Sequence, residues 1–308
     1  MTKHFLEIED LTAVEIRGIL DLAHELKTSP LGTDLAGRSI ALIFHKPSTR
    51  TRVSFSVGIS QLGGYALSLA EQEIQMKSSE SVEDTARVLS RYVDAVVIRT
   101  FAQADLAAYA AASSVPVVNG LTDERHPCQG LTDVFTFEEY FPDPRGRTIT
   151  YLGDGNNVAF SLSAAAAKLG VNVVLSVPEC CDLSAADMGI LRRMHEEAGS
   201  RIVVERDPKK AVEEASALYT DVWVSMGQSG SEEKVRALRP YRVDLELLSR
   251  APDKAIVMHC LPAHRGEEIT DEVMDGPRSV VFDQAENRLH VQKALLIKLL
   301  AGAEERDC

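Results

Sequence analysis

Basic residues are in short supply in this 308-residue chain: 33 Lys and Arg stand against 46 Asp and Glu, for a net charge of −13. That balance excludes a broad nucleic-acid or anionic-membrane surface, so any anion site must gather its positive charge locally. Long apolar runs are missing as well. No stretch approaches the ~18 consecutive apolar residues of a spanning helix, and the amino terminus carries no apolar segment of secretory type. Cysteine is sparse, with five residues at 128, 180, 181, 260 and 308. They form no C-x-x-C pair and no even framework, which excludes a disulfide scaffold and points to free thiols in a reducing, cytoplasmic setting. Cys180 and Cys181 are adjacent, which suits neither a disulfide nor a zinc site. Low-complexity segments and sequence repeats are absent too. What remains, 45% apolar and 26% charged, is the make-up of a soluble globular protein, and 308 residues predict about two domains.

The most informative stretch runs from Ile40 to Gly64. An apolar run of strand length meets a turn signal at Lys46-Pro47, and the spacing then becomes helical, with Phe55, Ile59 and Leu62 on one stripe. Ser48 is a good N-cap and Gly63-Gly64 a good stop. Two hydroxyls and two arginines of Ser48-Thr49-Arg50-Thr51-Arg52 therefore sit on a strand-to-helix turn. Unpaired N–H groups and the helix dipole favour an anion there, and arginine adds fork-shaped donors that match phosphate oxygens. Read alone, the same residues also fit a capped surface helix with a solvated first turn.

Taken in order, the spacing predicts a helix over 10–27, strands at Tyr65–Leu69 and Ala95–Arg99, and helices from Ser81 to Arg91 and Ala102 to Ala112. A strand at Val115–Asn119 leads through the His126 loop to a helix from Leu131 to Tyr140. Residues 71–80 are polar and without period, the pattern of a loop. Phe141-Pro142-Asp143-Pro144 is a linker signal, which places a domain boundary near 143. Beyond it the alternation resumes, with strands at Thr148–Leu152, Val171–Val177, Arg201–Glu205, Ala217–Asp221, Ala255–His259 and Ser279–Asp283. Helices are expected at Val158–Leu169, Ser184–Ala198, near Lys209–Glu214 and at Glu286–Leu300. Strand alternating with helix implies an α/β protein of two doubly wound parallel-sheet domains. Ligands of such sheets gather at the carboxyl ends of strands. The Ser48 turn, Arg99, the His126 loop, Asp221 and His259-Cys260-Leu261-Pro262 all follow predicted strands, so a cleft between the domains is the expected site.

Together these segments resemble the aspartate and ornithine carbamoyltransferases, essentially from the first helix to the last. Ser48-Thr49-Arg50-Thr51-Arg52 is similar to the family's carbamoyl-phosphate turn and His126-Pro127-Cys128-Gln129 to its second phosphate-and-carbonyl loop. Asp221 followed by Ser225-Met226-Gly227, and the segment Met258–Glu267, resemble the ornithine branch. The aspartate branch has His-Pro-Leu-Pro-Arg where this chain reads His259-Cys260-Leu261-Pro262-Ala263. The resemblance implies that residues 1–142 bind carbamoyl phosphate, with 286–308 packing back on them, and that 143–285 bind ornithine. It implies that Ser48, Thr49, Arg50 and Thr51 hold the phosphate, with Arg99, His126, Gln129, Cys260, Leu261 and Arg288 around the carbamoyl group. Gln75 would reach in from a neighbouring subunit of a homotrimer. Asn157, Asp221, Ser225 and Met226 would receive ornithine, and Cys260 and Asp221 would take the proton that its δ-amine must lose. Citrulline and phosphate would be the products, on the arginine-biosynthetic route, with no metal or organic cofactor needed.

Blander readings stand beside these. Gly153-Asp154-Gly155-Asn156-Asn157 lacks the third glycine of a dinucleotide fingerprint, since Val158 stands in its place. Cys260, read alone, is an ordinary buried thiol, and the resemblance is what makes it functional. Cys128 reads as packing, and His45, His195 and His290 as surface or core residues. Another amine acceptor (acylated ornithine, putrescine or aspartate) is the alternative activity. A non-catalytic anion-binding protein on the same fold is the alternative class.

Overall fold

The computed structural model describes residues 3–70, 80–224 and 231–304, with side chains through Ala301. The chain divides into two compact units, Met1–Thr132 with Glu286–Cys308, and Asp133–Ala285.

The first unit begins with helix α1 (Ala13–Thr28), opened by a capping box in which the Thr12 hydroxyl and the Glu15 carboxylate satisfy each other's backbone N–H. Its buried stripe is Ile16, Ile19, Leu20, Ala23 and Leu26, each large side chain contributing roughly 1.5–3 kcal/mol on burial. Strand β1 (Ser39–Phe44), helix α2 (Thr49–Gln61) and strand β2 (Tyr65–Ala70) follow. Helix α3 (Val82–Leu89), strand β3 (Ala95–Arg99), helix α4 (Gln103–Ala112) and strand β4 (Val117–Leu121) complete the alternation. The four strands form one parallel sheet in the order β2-β1-β3-β4. Phe5 extends it beyond β4, its N–H donating to the Val117 carbonyl and its carbonyl accepting from Asn119, both at 2.8 Å.

Strand β4 starts two residues later than the pattern suggests. Pro116 lacks an N–H, so it contributes only its carbonyl to Val96 N (2.9 Å) and full pairing begins at Val117. Helix α5 (Pro127–Tyr140) in turn begins four residues before the expected Leu131, because proline is at home in a first helical turn. The compact units divide inside this helix, between Thr132 and Asp133.

The second unit holds β5 (Thr148–Leu152), α6 (Asn157–Lys168), β6 (Asn172–Ser176), α7 (Ala185–Ala198), β7 (Ile202–Val204), α8 (Pro208–Ala211) and β8 (Ala217–Thr220). Short helices α9 (Glu232–Leu238), α10 (Leu245–Leu248) and α11 (Asp271–Met274) surround strand β9 (Ile256–His259). The parallel order is β7-β6-β5-β8-β9. The strand expected at Ser279–Asp283 is a correction: Ser279 makes one isolated bridge to Val257, and helix α12 (Val281–Glu304) starts at once. Val280-Val281-Phe282 is a short apolar run that fits either element, and the Gln284 N–H bond to the Val280 carbonyl (2.9 Å) settles it as helix.

From Glu286 onward α12 belongs to the first unit. There the Lys293 ammonium donates to the Leu26 and Pro30 carbonyls and to Gln61 Oε1, at 3.4, 2.9 and 3.0 Å. No helix among the described residues is long and apolar enough to cross a membrane.

Candidate active site

Each sheet reverses its winding at one place, between β1 and β3 in the first unit and between β5 and β8 in the second. Diverging loops open a crevice at such a point, at the carboxyl ends of the strands. The sequence-expected residues cluster at these two places.

In the first unit Ser48 caps α2, its Oγ accepting from Thr51 N at 3.3 Å. The hydroxyl proton remains available to an anion. Arg99 closes β3 opposite Phe44, the last residue of β1, and is buried. Buried Arg288, from α12, spans two elements: its Nη2 donates to Thr51 Oγ1 at 2.7 Å and its Nη1 to Gln129 Oε1 in α5. The turn, the α5 amide and the final helix thus share one guanidinium, although Arg288 lies 237 residues from Thr51.

His126, fully buried just before Pro127, is held well below the ordinary imidazole range by burial first and then by Arg288 and Arg99. The ring is therefore neutral at pH 7, in a field made positive by two guanidiniums. Such a place stabilises negative charge on a ligand without first losing its own. Lys46 adds a further cation above the Phe101 ring (4.4 Å) and pairs with Asp123. Cys128 is packing: its Sγ lies 3.3 Å from the Asn119 carbonyl, and burial pushes its thiol up to about 12.

In the second unit Asp221 follows β8 and is buried. Cys260, following β9, places Sγ 2.9 Å from Asp221 Oδ1. The other carboxylate oxygen accepts from Asn156 Nδ2 at 2.7 Å. Asn157 opens α6, but the amide reaching Asp221 is its neighbour's. Leu261 takes a left-handed backbone (φ 57°), which a branched side chain adopts only when its surroundings impose it. They do: Leu261 N donates to His259 Nδ1 at 2.8 Å, and the opposite ring nitrogen faces the buried Glu268 at 3.1 Å. His259 N in turn donates to Gln284 Oε1 (2.9 Å), whose amide donates to Asp133 (2.7 Å). Both imidazole nitrogens are thereby engaged, one by the Leu261 backbone and one by Glu268, while the His259, Cys260 and Asp221 donor atoms lie within 4.8 Å of one another.

The glycines after β5 serve close packing rather than a dinucleotide. A Cβ on Gly155 would meet the Cys181 carbonyl at 2.3 Å, the group its own N–H bonds at 2.9 Å. Gln75, Ser225 and Met226 lie outside the described residues. Sequence reasoning passed over Asn156 and Gln284, gave His259 no separate role, and read Glu268 as solvated, whereas it is fully buried against His259. Asn156 alone carried a local signal, an N-cap asparagine before an apolar helix.

Comparison with known proteins identifies the family. Residues 3–139 match the family model described as the aspartate/ornithine carbamoyltransferase carbamoyl-P binding domain, and residues 145–299 its Asp/Orn binding domain. A curated relative from Bacillus thuringiensis, named ornithine carbamoyltransferase, is 47% identical over 99% of this chain and 96% of its own. One of the same name from Archaeoglobus fulgidus is 49% identical over 98% and 99%. The solved ornithine carbamoyltransferase of Pyrococcus furiosus superposes with a TM-score of 0.93 at 46% identity, covering 96% of both chains.

Proposed function

Because this chain belongs to the aspartate/ornithine carbamoyltransferase family, we propose that it transfers the carbamoyl group of carbamoyl phosphate to the δ-amine of L-ornithine, giving L-citrulline and phosphate. The observation that carries the choice of amine is the pairing of buried Asp221 with half-buried Cys260. A substrate whose reacting end is an ammonium ion calls for a carboxylate and a proton acceptor. Aspartate, whose distal end is a second carboxylate, calls for a cation instead.

In this reading Ser48, Thr49, Arg50 and Thr51 hold the phosphate with hydroxyls, guanidinium and the N–H groups of the α2 start. Arg99 and neutral His126 donate to the carbamoyl oxygen, Gln129 and Arg288 orient the carbamoyl group, and the Cys260-Leu261 backbone borders it. Asn157, Ser225 and Met226 take the α-amino acid end of ornithine. The δ-ammonium gives one proton to the Asp221–Cys260 pair. The freed lone pair forms the C–N bond, and negative charge moves onto the carbamoyl oxygen, where Arg99 and His126 stabilise it. Collapse re-forms the carbonyl and breaks the C–O bond to phosphate, which leaves with the second amine proton and with its charge already met by arginine. The reaction belongs in the cytoplasm, and the working form is a homotrimer that borrows Gln75 from a neighbour. Light scattering that returns a monomer with full turnover would remove that last element.

The decisive assay offers ornithine, acylated ornithine, putrescine and aspartate side by side with carbamoyl phosphate. Carbamoylation of ornithine above the others is expected. Preference for another amine would move the activity within the family, and silence with all four alongside tight carbamoyl-phosphate binding would leave an anion-binding protein.

A further inference from the structure

We propose that Asn156 is a positioning residue for the proton-accepting carboxylate, using its one amide to join the start of α6 to Asp221. The inference rests on the role given above to Asp221 and Cys260.

The argument begins with the orientation of the amide. Asn156 Oδ1 accepts from Val158 N at 2.9 Å and from Ala159 N at 3.1 Å, both donors of the first helical turn. The Tyr151 hydroxyl lies a further 3.2 Å from the same oxygen. Backbone N–H groups can only donate, so the oxygen must face the helix and the NH2 must face Asp221. The 2.7 Å contact at Asp221 Oδ2 is therefore a donated hydrogen bond. One carboxylate oxygen is thereby occupied, and its partner Oδ1 is the oxygen turned toward Cys260 Sγ. The amide thereby fixes the carboxylate's orientation, with Oδ2 toward α6 and Oδ1, which accepts from the Cys260 thiol, toward the place where the amine's proton arrives.

A side chain present only to cap a helix needs the acceptor alone. Aspartate and serine cap as well as asparagine does, and neither can keep both bonds. Aspartate cannot donate to Asp221 when ionised, and serine is too short to span the gap. The amide thus adds something beyond the cap. The titratable groups beside Asp221 are Cys260 and His259 at the end of β9, and Tyr151 of β5 and Tyr219 of β8 lie in the field of Asp221 together with that of Asp133 and, for Tyr151, Asp154. Burial raises both tyrosines well above the ordinary phenol range, so they stay neutral.

The test compares Asn156→Asp and Asn156→Ser with the unmodified enzyme by kcat and KM across pH, with thermal unfolding alongside. In Asn156→Asp the helix keeps its cap while a second carboxylate lies against Asp221, so the two share a proton and the acid limb of the kcat profile moves to higher pH. A shift of about one unit or more is expected, together with roughly tenfold or greater loss of kcat near neutrality. In Asn156→Ser, kcat is expected to fall about tenfold with the limb in place, and KM for carbamoyl phosphate to stay within twofold in both variants. A wild-type pH profile in Asn156→Asp, or wild-type kcat in Asn156→Ser, would overturn the proposal. Should Asn156→Asp fail to fold, Asn156→Ser decides on kcat alone. Asp221→Asn is assayed in parallel: if that variant keeps full turnover, the reading of Asp221 has failed, whatever the Asn156 variants show.

Discussion

Arg288→Lys is the substitution whose cost follows most directly from the geometry. The guanidinium makes two bonds at once, to Thr51 Oγ1 at 2.7 Å and to Gln129 Oε1, with all three side chains 3% exposed or less. Lysine keeps the charge but is a point donor, unable to hold two oxygens at the spacing of a fork. One charge-assisted hydrogen bond is lost, worth about 1.5–3 kcal/mol, and one buried oxygen is left without that donor. Taking about 2–3 kcal/mol for the sum, affinity for the anion falls roughly 30- to 150-fold. Inorganic phosphate and carbamoyl phosphate, titrated by calorimetry, read the loss directly. Arg288→Met carries a second signature. It removes the larger of the two charges that depress His126, so that imidazole rises toward its ordinary range and the activity becomes more acid-sensitive. Phosphate affinity within twofold of the parent in Arg288→Lys would refute the reasoning, because a side chain that orders both Thr51 and Gln129 cannot be neutral to what they hold.

Three further outcomes are expected. Cys260→Ser and Asp221→Asn should each lose at least tenfold in kcat while carbamoyl-phosphate affinity stays within twofold, since neither side chain belongs to the first unit's anion-holding set; stopped-time citrulline assays with parallel calorimetry check it. Ser48→Ala should cost about 1 kcal/mol of stability for the lost cap and also weaken phosphate binding, measurable by urea unfolding with and without phosphate. His195 is buried and held down to about 4. The unfolded chain therefore binds the extra proton first, and the native state loses stability as pH falls from 6.5 toward 4, by up to about 1.4 kcal/mol per pH unit for that group. His126 adds a loss of the same sign. His195→Gln should flatten the urea midpoint between pH 7.5 and 5 relative to the parent, and an unchanged slope would contradict the assignment.

Most of the parallel alternation was legible in the chain because buried strands are short runs rich in apolar and β-branched residues between turn signals, as in Ala95-Val96-Val97-Ile98 and Thr148-Ile149-Thr150-Tyr151-Leu152. Errors came where an apolar run was too short to choose its own state. Val280-Val281-Phe282 could serve a strand or a helix, and the helix won through the Val280–Gln284 bond. Prolines misled in both directions. Pro116 delayed β4 by withholding a donor, while Pro127, which looked like part of a loop, opened a helix. Of the expected site residues, the cap and arginines after β1 carried a local signature, whereas the His126-Pro127 pair and the Cys260 segment were singled out by the family resemblance. Asn156 and Gln284, whose partners are distant, were passed over. Asn156, met in the sequence only inside an incomplete dinucleotide fingerprint, gained its role when its amide was placed 2.7 Å from a carboxylate 65 residues away.

The sequence by itself determined the local chemistry: a capped helix start carrying hydroxyls and arginines, a thiol after a buried strand, and a net charge that forced any anion site to be built from few cations. These follow from neighbours along the chain, where spacing sets geometry. The tertiary structure alone decided that Arg288 joins Thr51 to Gln129, that Cys260 faces one oxygen of Asp221 while Asn156 holds the other, and that His126 is neutral. Hydrogen-bond direction and charge state depend on which groups are buried together, and burial is a property of the packed sheet ends rather than of any stretch of sequence.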